Sequence, residues 1–254
     1  MDILVVVDMQ KDFISGALGT KEAVGIVPRV AEKIAQAKKA GKTIVFTRDT
    51  HHENYLDTQE GKNLPVPHCI ENTDGWQLDP ALDTAGAMIF DKPSFGSEAL
   101  VRYLKSLNDL RSAEFVGLCT DICVITNVLS TKCALPELPI SVDSACCAGV
   151  TPQSHENALN AMRMCQAAAK LLKVDPADMI VASTGVIGQR LNIEAIEAGL
   201  PEAYSQLRRD GSDDAAHAIM TTDTVKKEYA FEAVIGGKTV RLGSKIKVMD
   251  VEFE

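Results

Sequence analysis

Over residues 1–166 short apolar runs alternate with helical patterns, and the runs lie at 3–7, 43–47, 87–90, 113–118 and 138–142. They are nearly continuous rather than alternating in polarity, which suits strands buried on both faces of a parallel sheet. Strands that alternate with helices predict an α/β fold, a doubly wound parallel sheet in three layers. A chain of 254 residues can hold one such domain with an appendage and bury a sizeable core. Residues 27–40 carry Val30, Ile34 and Ala37 on one helical face, with Gly41 as the C-cap. Residues 97–107 form a further helix. Thr151 and Pro152 open another, whose buried stripe is expected to be Ala158, Ala161, Met162 and Cys165.

In such sheets ligands and catalysts gather at the carboxyl ends of the strands. Three of these ends carry reactive side chains: Asp8, Lys92 and Cys123. If the sheet is parallel, all three can converge. A thiol attacks an acyl carbon, a lysine lowers its pKa electrostatically, and a carboxylate carries the proton to the leaving amine. Cys123 falls in the first turn of a helix whose caps are expected to be Thr120 and Asp121. There the unpaired N–H groups and the helix dipole favour a thiolate. Singly, each residue has a plainer reading, as a small buried hydrophobe, a helix cap and a surface charge. Convergence is what separates the two readings.

The second set is Asp49, His51, Glu60 and His68. Asp-x-His directly after a strand, with an acid and a histidine across a long polar loop (about 53–80), offers a mixed N/O site for one divalent metal. With two histidines and carboxylates, Zn²⁺, Mn²⁺ and Fe²⁺ are all compatible. Loop histidines that are merely solvated are the alternative. His52, adjacent to His51, would point away if His51 binds and is left out.

The net charge of −9 argues against a nucleic-acid partner. No apolar run reaches membrane-spanning length, and residues 1–7 lack the basic region of a signal peptide. Seven cysteines, an odd number spread through apolar elements, imply no disulfide framework and a reducing, cytoplasmic setting. The expected partner is a small-molecule amide, and a homo-oligomer is compatible with the sequence.

Five stretches now point to a family. Val7-Asp8-Met9-Gln10-Lys11-Asp12-Phe13, Arg48-Asp49-Thr50-His51, Leu64-Pro65-Val66-Pro67-His68-Cys69, Lys92-Pro93-Ser94-Phe95 and residues 117–124 resemble, in order, the isochorismatase-like cysteine hydrolases, and nicotinamidases most closely. The resemblance implies an Asp8–Lys92–Cys123 triad and an oxyanion hole from the backbone N–H groups of Cys119 and Cys123. It also implies a cis peptide between Leu118 and Cys119, and a metal that holds the pyridine nitrogen of nicotinamide. Asp49, His51 and His68 match the family's ligands, and Glu60 matches a subgroup with a fourth. Phe13 is similar to the family's pocket wall. The implied activity is hydrolysis of nicotinamide to nicotinate and ammonia. Another small amide or a vinyl ether as substrate, or an inactive fusion, are the alternatives.

The family's last strand is expected to be missing, because residues 167–172 continue a helix. From about residue 161 the chain resembles the ornithine acetyltransferases, through residues 181–189, 218–224 and 235–243. The expected organisation is therefore a hydrolase domain at 1–166 and an acetyltransferase-like fragment at 167–254 with α+β character. Thr184 and Gly185 match that family's oxyanion turn. Its Lys-Gly-Ser-Gly segment and nucleophilic threonine are not matched, and Thr221, Thr222 and Thr224 are no substitutes, so no acetyl transfer and no self-cleavage are expected. Residues 178–182 are expected to form a strand on the sheet's open edge, 208–214 a solvated linker, and 232–235 with 239–242 a hairpin about Gly236-Gly237-Lys238.

Overall fold

The computed structural model describes residues 1–174, 179, 181, 191–208, 210–220, 225–226, 228–235 and 238–245. The chain divides into two compact units, Met1–Ala198 and Gly199–Glu254.

The first unit is built as β1 (Asp2–Val7), α1 (Lys11–Ile14), α2 (Lys21–Lys39), β2 (Thr43–Asp49), α3 (Gln59–Asn63), β3 (Met88–Lys92), α4 (Glu98–Ser106), β4 (Ser112–Leu118), α5 (Ile125–Ala134), β5 (Ile140–Ala148) and α6 (Pro152–Leu172). Its strands form one sheet in the order β3-β2-β1-β4-β5, parallel throughout. β1 lies at the centre, so the strand order reverses beside it and the crevice opens over Asp8. Val5, Val6 and Val7 are fully buried, as a continuous apolar run requires.

Two apolar layers cover the sheet. Ala23, Ile26, Val30, Ile34 and Ala37 of α2 pack on Leu4, Val6, Phe46 and Val116. Leu100 and Leu104 of α4 pack with Val124 on Ile3, Val5, Val45 and Phe115. Burying an Ile or Val of this kind stabilises by about 1.5–3 kcal/mol. The three-layer expectation holds.

Several boundaries differ from the sequence reading. α2 begins at Lys21, because Thr20 accepts a hydrogen bond from Ala23 N at 3.0 Å and caps the helix there. Pro28, which usually marks a helix start, is interior. Gly41, just beyond α2, has φ +71° and ends the helix as expected. β5 continues through residues 143–148, beyond the apolar run expected at 138–142. A register shift lets Cys147 and Ala148 rejoin Gly117 and Leu118 after residues 143–146 leave the pairing. Gly117 has φ +116°, and a Cβ there would stand 2.1 Å from Val7 O, so only glycine fits between the two central strands.

α6 opens with the expected Thr151 cap, joined by Ser154 in a capping box, and runs through position 166 to Leu172. Its buried face is Ala158, Asn160, Met164 and Ala169, with Ala161, Met162 and Cys165 only half-buried. The stripe is therefore turned relative to the expectation, because a polar residue, Asn160, occupies a core position. The strand expected at 178–182 lies largely outside the described residues. Met179 and Val181 are half-buried, and Cys165 Sγ donates to Met179 O at 3.4 Å.

α7 (Ile193–Ser205) bridges the two units in sequence. In the second unit α8 (Ser212–Ile219) takes up residues expected as linker, and Arg208 pairs with Asp210 and Asp214. β6 (Glu228–Ile235) and β7 (Lys238–Lys245) pair antiparallel in register from Glu228↔Lys245 to Ile235↔Lys238. The hairpin holds, with longer strands than expected. Gly236 and Gly237, Thr184 and Gly185, and Thr221, Thr222 and Thr224 lie outside the described residues. No described helix is long and apolar enough to cross a membrane.

Candidate active site

β1, β3 and β4 deliver the three reactive side chains to one edge. Asp8 follows β1 directly and has φ +47°, a left-handed conformation that is strained for a residue with a side chain. Three bonds to Thr47 of β2 hold it there: Asp8 N donates to Thr47 O at 3.2 Å and to Thr47 Oγ1 at 3.3 Å, and Thr47 Oγ1 donates to Asp8 Oδ1 at 2.7 Å. Lys92 closes β3 with its ammonium 2.7 Å from Asp8 Oδ2, 3.1 Å from Asp49 Oδ1 and 3.6 Å from Cys123 Sγ. Asp8 Oδ2 meets the ammonium as a buried ion pair. That oxygen keeps a lone pair for a proton. The three expected residues are brought together, and all are buried.

Cys123 lies in a π-helical turn, Thr120–Val124, that precedes α5. The expected caps do not cap. Thr120 Oγ1 is 2.7 Å from His155 Nδ1, and Asp121 Oδ1 accepts from Val150 N at 3.1 Å, so both side chains serve the α6 start. Cys119 is the residue before the turn, and the peptide between Leu118 and Cys119 is cis, as expected.

Burial pushes the Cys123 thiol well above its ordinary value. The Asp8 carboxylate adds to this, and Lys92 opposes it. This corrects the expectation of a resting thiolate. A helix start cannot offset removal from water and a carboxylate close by. Burial also raises Asp8, with Lys92 opposing, which makes the carboxylate a better proton acceptor. Burial works against the Lys92 ammonium, but Asp8, Cys123 and Asp49 together keep it charged.

Asp49, His51, Glu60 and His68 form a second cluster, with one ligand atom from each lying within 4.8 Å of the others. His51 Nε2 is 3.1 Å from Asp49 Oδ2 and 3.7 Å from Glu60 Oε1. His68 Nε2 is 3.8 Å from each of the same two oxygens. A tetrahedral ion with arms of about 2.0–2.2 Å needs ligand separations of about 3.3–3.6 Å. The cluster therefore fits such an ion with small adjustment. Two further details agree. His51 Nε2 is buried without a hydrogen-bond partner, and His68 Nδ1 lies 2.8 Å from Val66 O, which leaves Nε2 free to ligate. Burial lowers the His51 pKa, but Asp49 and Glu60 outweigh it and raise the ring overall. A field that favours a proton also favours a cation.

The loop that carries Glu60 and His68 is pinned to the sheet. His51 N donates to Cys69 O at 2.9 Å and Glu71 N to His51 O at 2.8 Å. Cys69 N donates to Asp12 Oδ2 at 2.7 Å. Buried Tyr55 lies against both histidine rings, 4.7 Å from His51 and 5.1 Å from His68 between centroids. Phe13 is half-buried and tilted against His68 at 5.5 Å. Arg48 Cζ lies 3.3 Å over the Trp76 ring, and that Trp donates to Thr50 Oγ1.

Sequence reasoning missed Thr47, Tyr55 and Asn127 as supports, and gave Gln10 no role. Gln10 Nε2 donates to Asp49 O at 2.8 Å, and Asp49 N donates to Gln10 Oε1 at 2.7 Å. Thr47 had a signal: it is a polar residue in a buried run, two before Asp49 and so on the same face.

A model of the isochorismatase domain matches residues 2–175. The chain belongs to this family. Among solved isochorismatase-family folds it is similar to the pyrazinamidase of Pyrococcus horikoshii in complex with zinc, at 30% identity and TM-score 0.54, covering 64% of this chain and 94% of that one. It is likewise similar to the pyrazinamidase/nicotinamidase of Streptococcus mutans, at 26% identity and TM-score 0.54, covering 69% and 99%. A model of the ArgJ family matches residues 140–248. Over 88 residues the chain is 42% identical to the arginine biosynthesis bifunctional protein ArgJ of Synechococcus, covering 35% of this chain and 21% of that one. Over 89 residues it is 39% identical to the glutamate N-acetyltransferase of Methanocaldococcus jannaschii, covering 35% and 22%. The chain thus spans about a fifth of the length of these curated relatives.

Proposed function

We propose that this isochorismatase-family hydrolase is a cytoplasmic, metal-dependent amidase that converts nicotinamide and water to nicotinate and ammonia. The observation that carries the reading is Asp49. One of its oxygens meets the Lys92 ammonium and the other meets His51, so nucleophile and ligand cluster share a carboxylate. A ring nitrogen held at that cluster would present a carboxamide to Cys123. The similarity to pyrazinamidases and nicotinamidases supports the same substrate class.

The chain's own groups supply each step. Asp8 Oδ2 takes the thiol proton as Cys123 Sγ bonds to the amide carbon, and Lys92 stabilises the negative charge on sulfur. Backbone N–H groups of Cys119 and Cys123 receive the oxyanion. Asp8 returns the proton to the amine nitrogen, the C–N bond breaks, and ammonia leaves a thioester. Asp8 then takes a proton from water as the water oxygen adds to the thioester carbon. The C–S bond breaks, Asp8 returns that proton to sulfur, and the acid leaves as nicotinate with its proton lost to solvent. Asp49, His51, Glu60 and His68 would hold one divalent ion, zinc first, which when bound supplies a Lewis-acidic anchor for the ring nitrogen. Phe13, beside His68, would border the ring. The division into a hydrolase part at 1–166 and an ArgJ-like part at 167–254 belongs to the same proposal.

The test is ammonia release from nicotinamide, pyrazinamide and aliphatic amides, with metal content measured on the same sample. Turnover of the pyridine and pyrazine amides, in proportion to bound metal, is expected. Equal rates on aliphatic amides, or full activity without metal, would overturn it.

A further inference from the structure

A fully buried asparagine in a helix interior is a costly choice unless its amide is engaged. Asn127 lies in α5, one helical turn beyond Cys123, and its side chain uses three of its hydrogen-bonding positions. Nδ2 donates to Cys123 O at 2.8 Å and to Phe95 O at 3.1 Å, while Oδ1 accepts from Ser97 N at 2.9 Å. It therefore grips two things: the carbonyl of the nucleophile and the segment that follows Lys92.

That segment is held from its other end by the lysine. Lys92 Nζ donates to Ser94 O at 2.9 Å while standing 3.6 Å from Cys123 Sγ. Residues 94–97 also lie flat on α5. A Cβ on Gly96 would come within 3.0 Å of Thr126 Cγ2, closer than ordinary contact. Beside Asn127, Thr126 Oγ1 donates to Ile122 O at 2.6 Å, so consecutive carbonyls of the π-helical turn are fixed by side chains four residues on.

We infer that Asn127 is a positioning residue that sets the Cys123–Lys92 separation by tying the nucleophile's turn to the 94–97 segment. It touches neither substrate nor reacting atoms. Its loss displaces the thiol from the ammonium and leaves the ring-binding side of the site in place. The kinetic arm below rests on the amidase reading, whereas the labelling arm does not.

The test compares Asn127→Thr with Asn127→Val in the full-length protein. These substitutes have nearly the same shape, and Thr126 demonstrates that a threonine hydroxyl can reach the carbonyl four residues back. Melting temperatures of the two variants report whether packing is equal. Ammonia release should show kcat about tenfold or more below the parent for Val with KM nearly unchanged, and partial recovery of kcat for Thr. Iodoacetamide labelling of Cys123, read by peptide mass spectrometry, should be slower in Val than in Thr at the same pH. Equal kcat and equal labelling in folded Thr and Val variants, or faster labelling in Val, would overturn the inference. A parent that labels at Cys123 but releases no ammonia sinks the amidase reading alone, and the labelling comparison still decides the role of Asn127.

Discussion

Gln10 holds Asp49 by both ends of its peptide unit, with Nε2 on the carbonyl and Oε1 on the N–H. The side-chain amide imitates a strand partner and fixes the residue that serves both clusters. Gln10→Ala is expected to weaken metal affinity about 10- to 100-fold, as loss of an outer hydrogen bond to a ligand commonly does. Competition with a chromophoric chelator measures it. Unchanged affinity would show that β2 positions Asp49 unaided.

Cys123→Ala should leave the fold intact and reduce amide hydrolysis roughly 10³-fold or more, since the Cys123 thiol is the one 3.6 Å from the Lys92 ammonium. Circular dichroism and ammonia release report the two outcomes. Turnover near the parent level would rule out a covalent route.

At neutral pH exposed Cys133 should react with iodoacetamide ahead of Cys123, whose thiol is held protonated by burial and Asp8. Raising the pH should favour Cys123 progressively. Site-resolved labelling that finds Cys123 fastest at neutral pH would restore the resting-thiolate picture.

Removing the metal should lower both activity and melting temperature, and zinc should restore both. Glu60→Gln is expected to weaken binding less than His68→Ala, because Glu60 is the more exposed ligand of the two. An unchanged melting curve in chelator would mean that the cluster is built without need of an ion.

Lys33 joins α2 to the sheet by pairing with Glu114 at 2.8 Å and Asp143 at 2.5 Å. Hydrogen bonds from Lys33 hold Asp143 below its ordinary pKa. Glu114 is lowered too, its burial being outweighed by Lys33 and Lys42. Folded values below unfolded ones mean stability that is present above the unfolded carboxylate range and lost as pH falls through the folded values. Glu114→Gln with Asp143→Asn should cost about 1 kcal/mol at neutral pH and flatten the acid side of the melting profile. Parallel profiles for variant and parent would contradict this.

The sheet was legible in the sequence because β1, β2 and β4 are buried almost throughout and read as unbroken apolar runs, whereas the edge strands β3 and β5 are exposed or half-buried over most of their length. Asp8, Lys92 and Cys123 were legible for a related reason: parallel strands place their ends on one edge. The irregular pairing at residues 143–146 was not, since polar residues that leave the ladder look the same as a loop until Cys147 and Ala148 are seen to rejoin it. Nor were the supports. Gln10 and Asn127 act through backbone groups distant in sequence, and a side chain that bonds backbone leaves no pattern of partner types. The state of Cys123 was misread because its place at a helix start is local, while the burial that governs its proton is tertiary.

The shared carboxylate has a consequence for charge. Asp8, Asp49 and Glu60 contribute three negative charges and Lys92 one positive, so the ligand side chains and triad together carry a deficit of two. A divalent ion cancels it. In the proposed mechanism the proton passes from Cys123 to Asp8, which exchanges one charge between neighbours, so a cluster holding such an ion would be electroneutral before and after the transfer. No net charge would have to be created among these buried side chains, and the reaction could begin without the reorganisation that a new buried ion would demand.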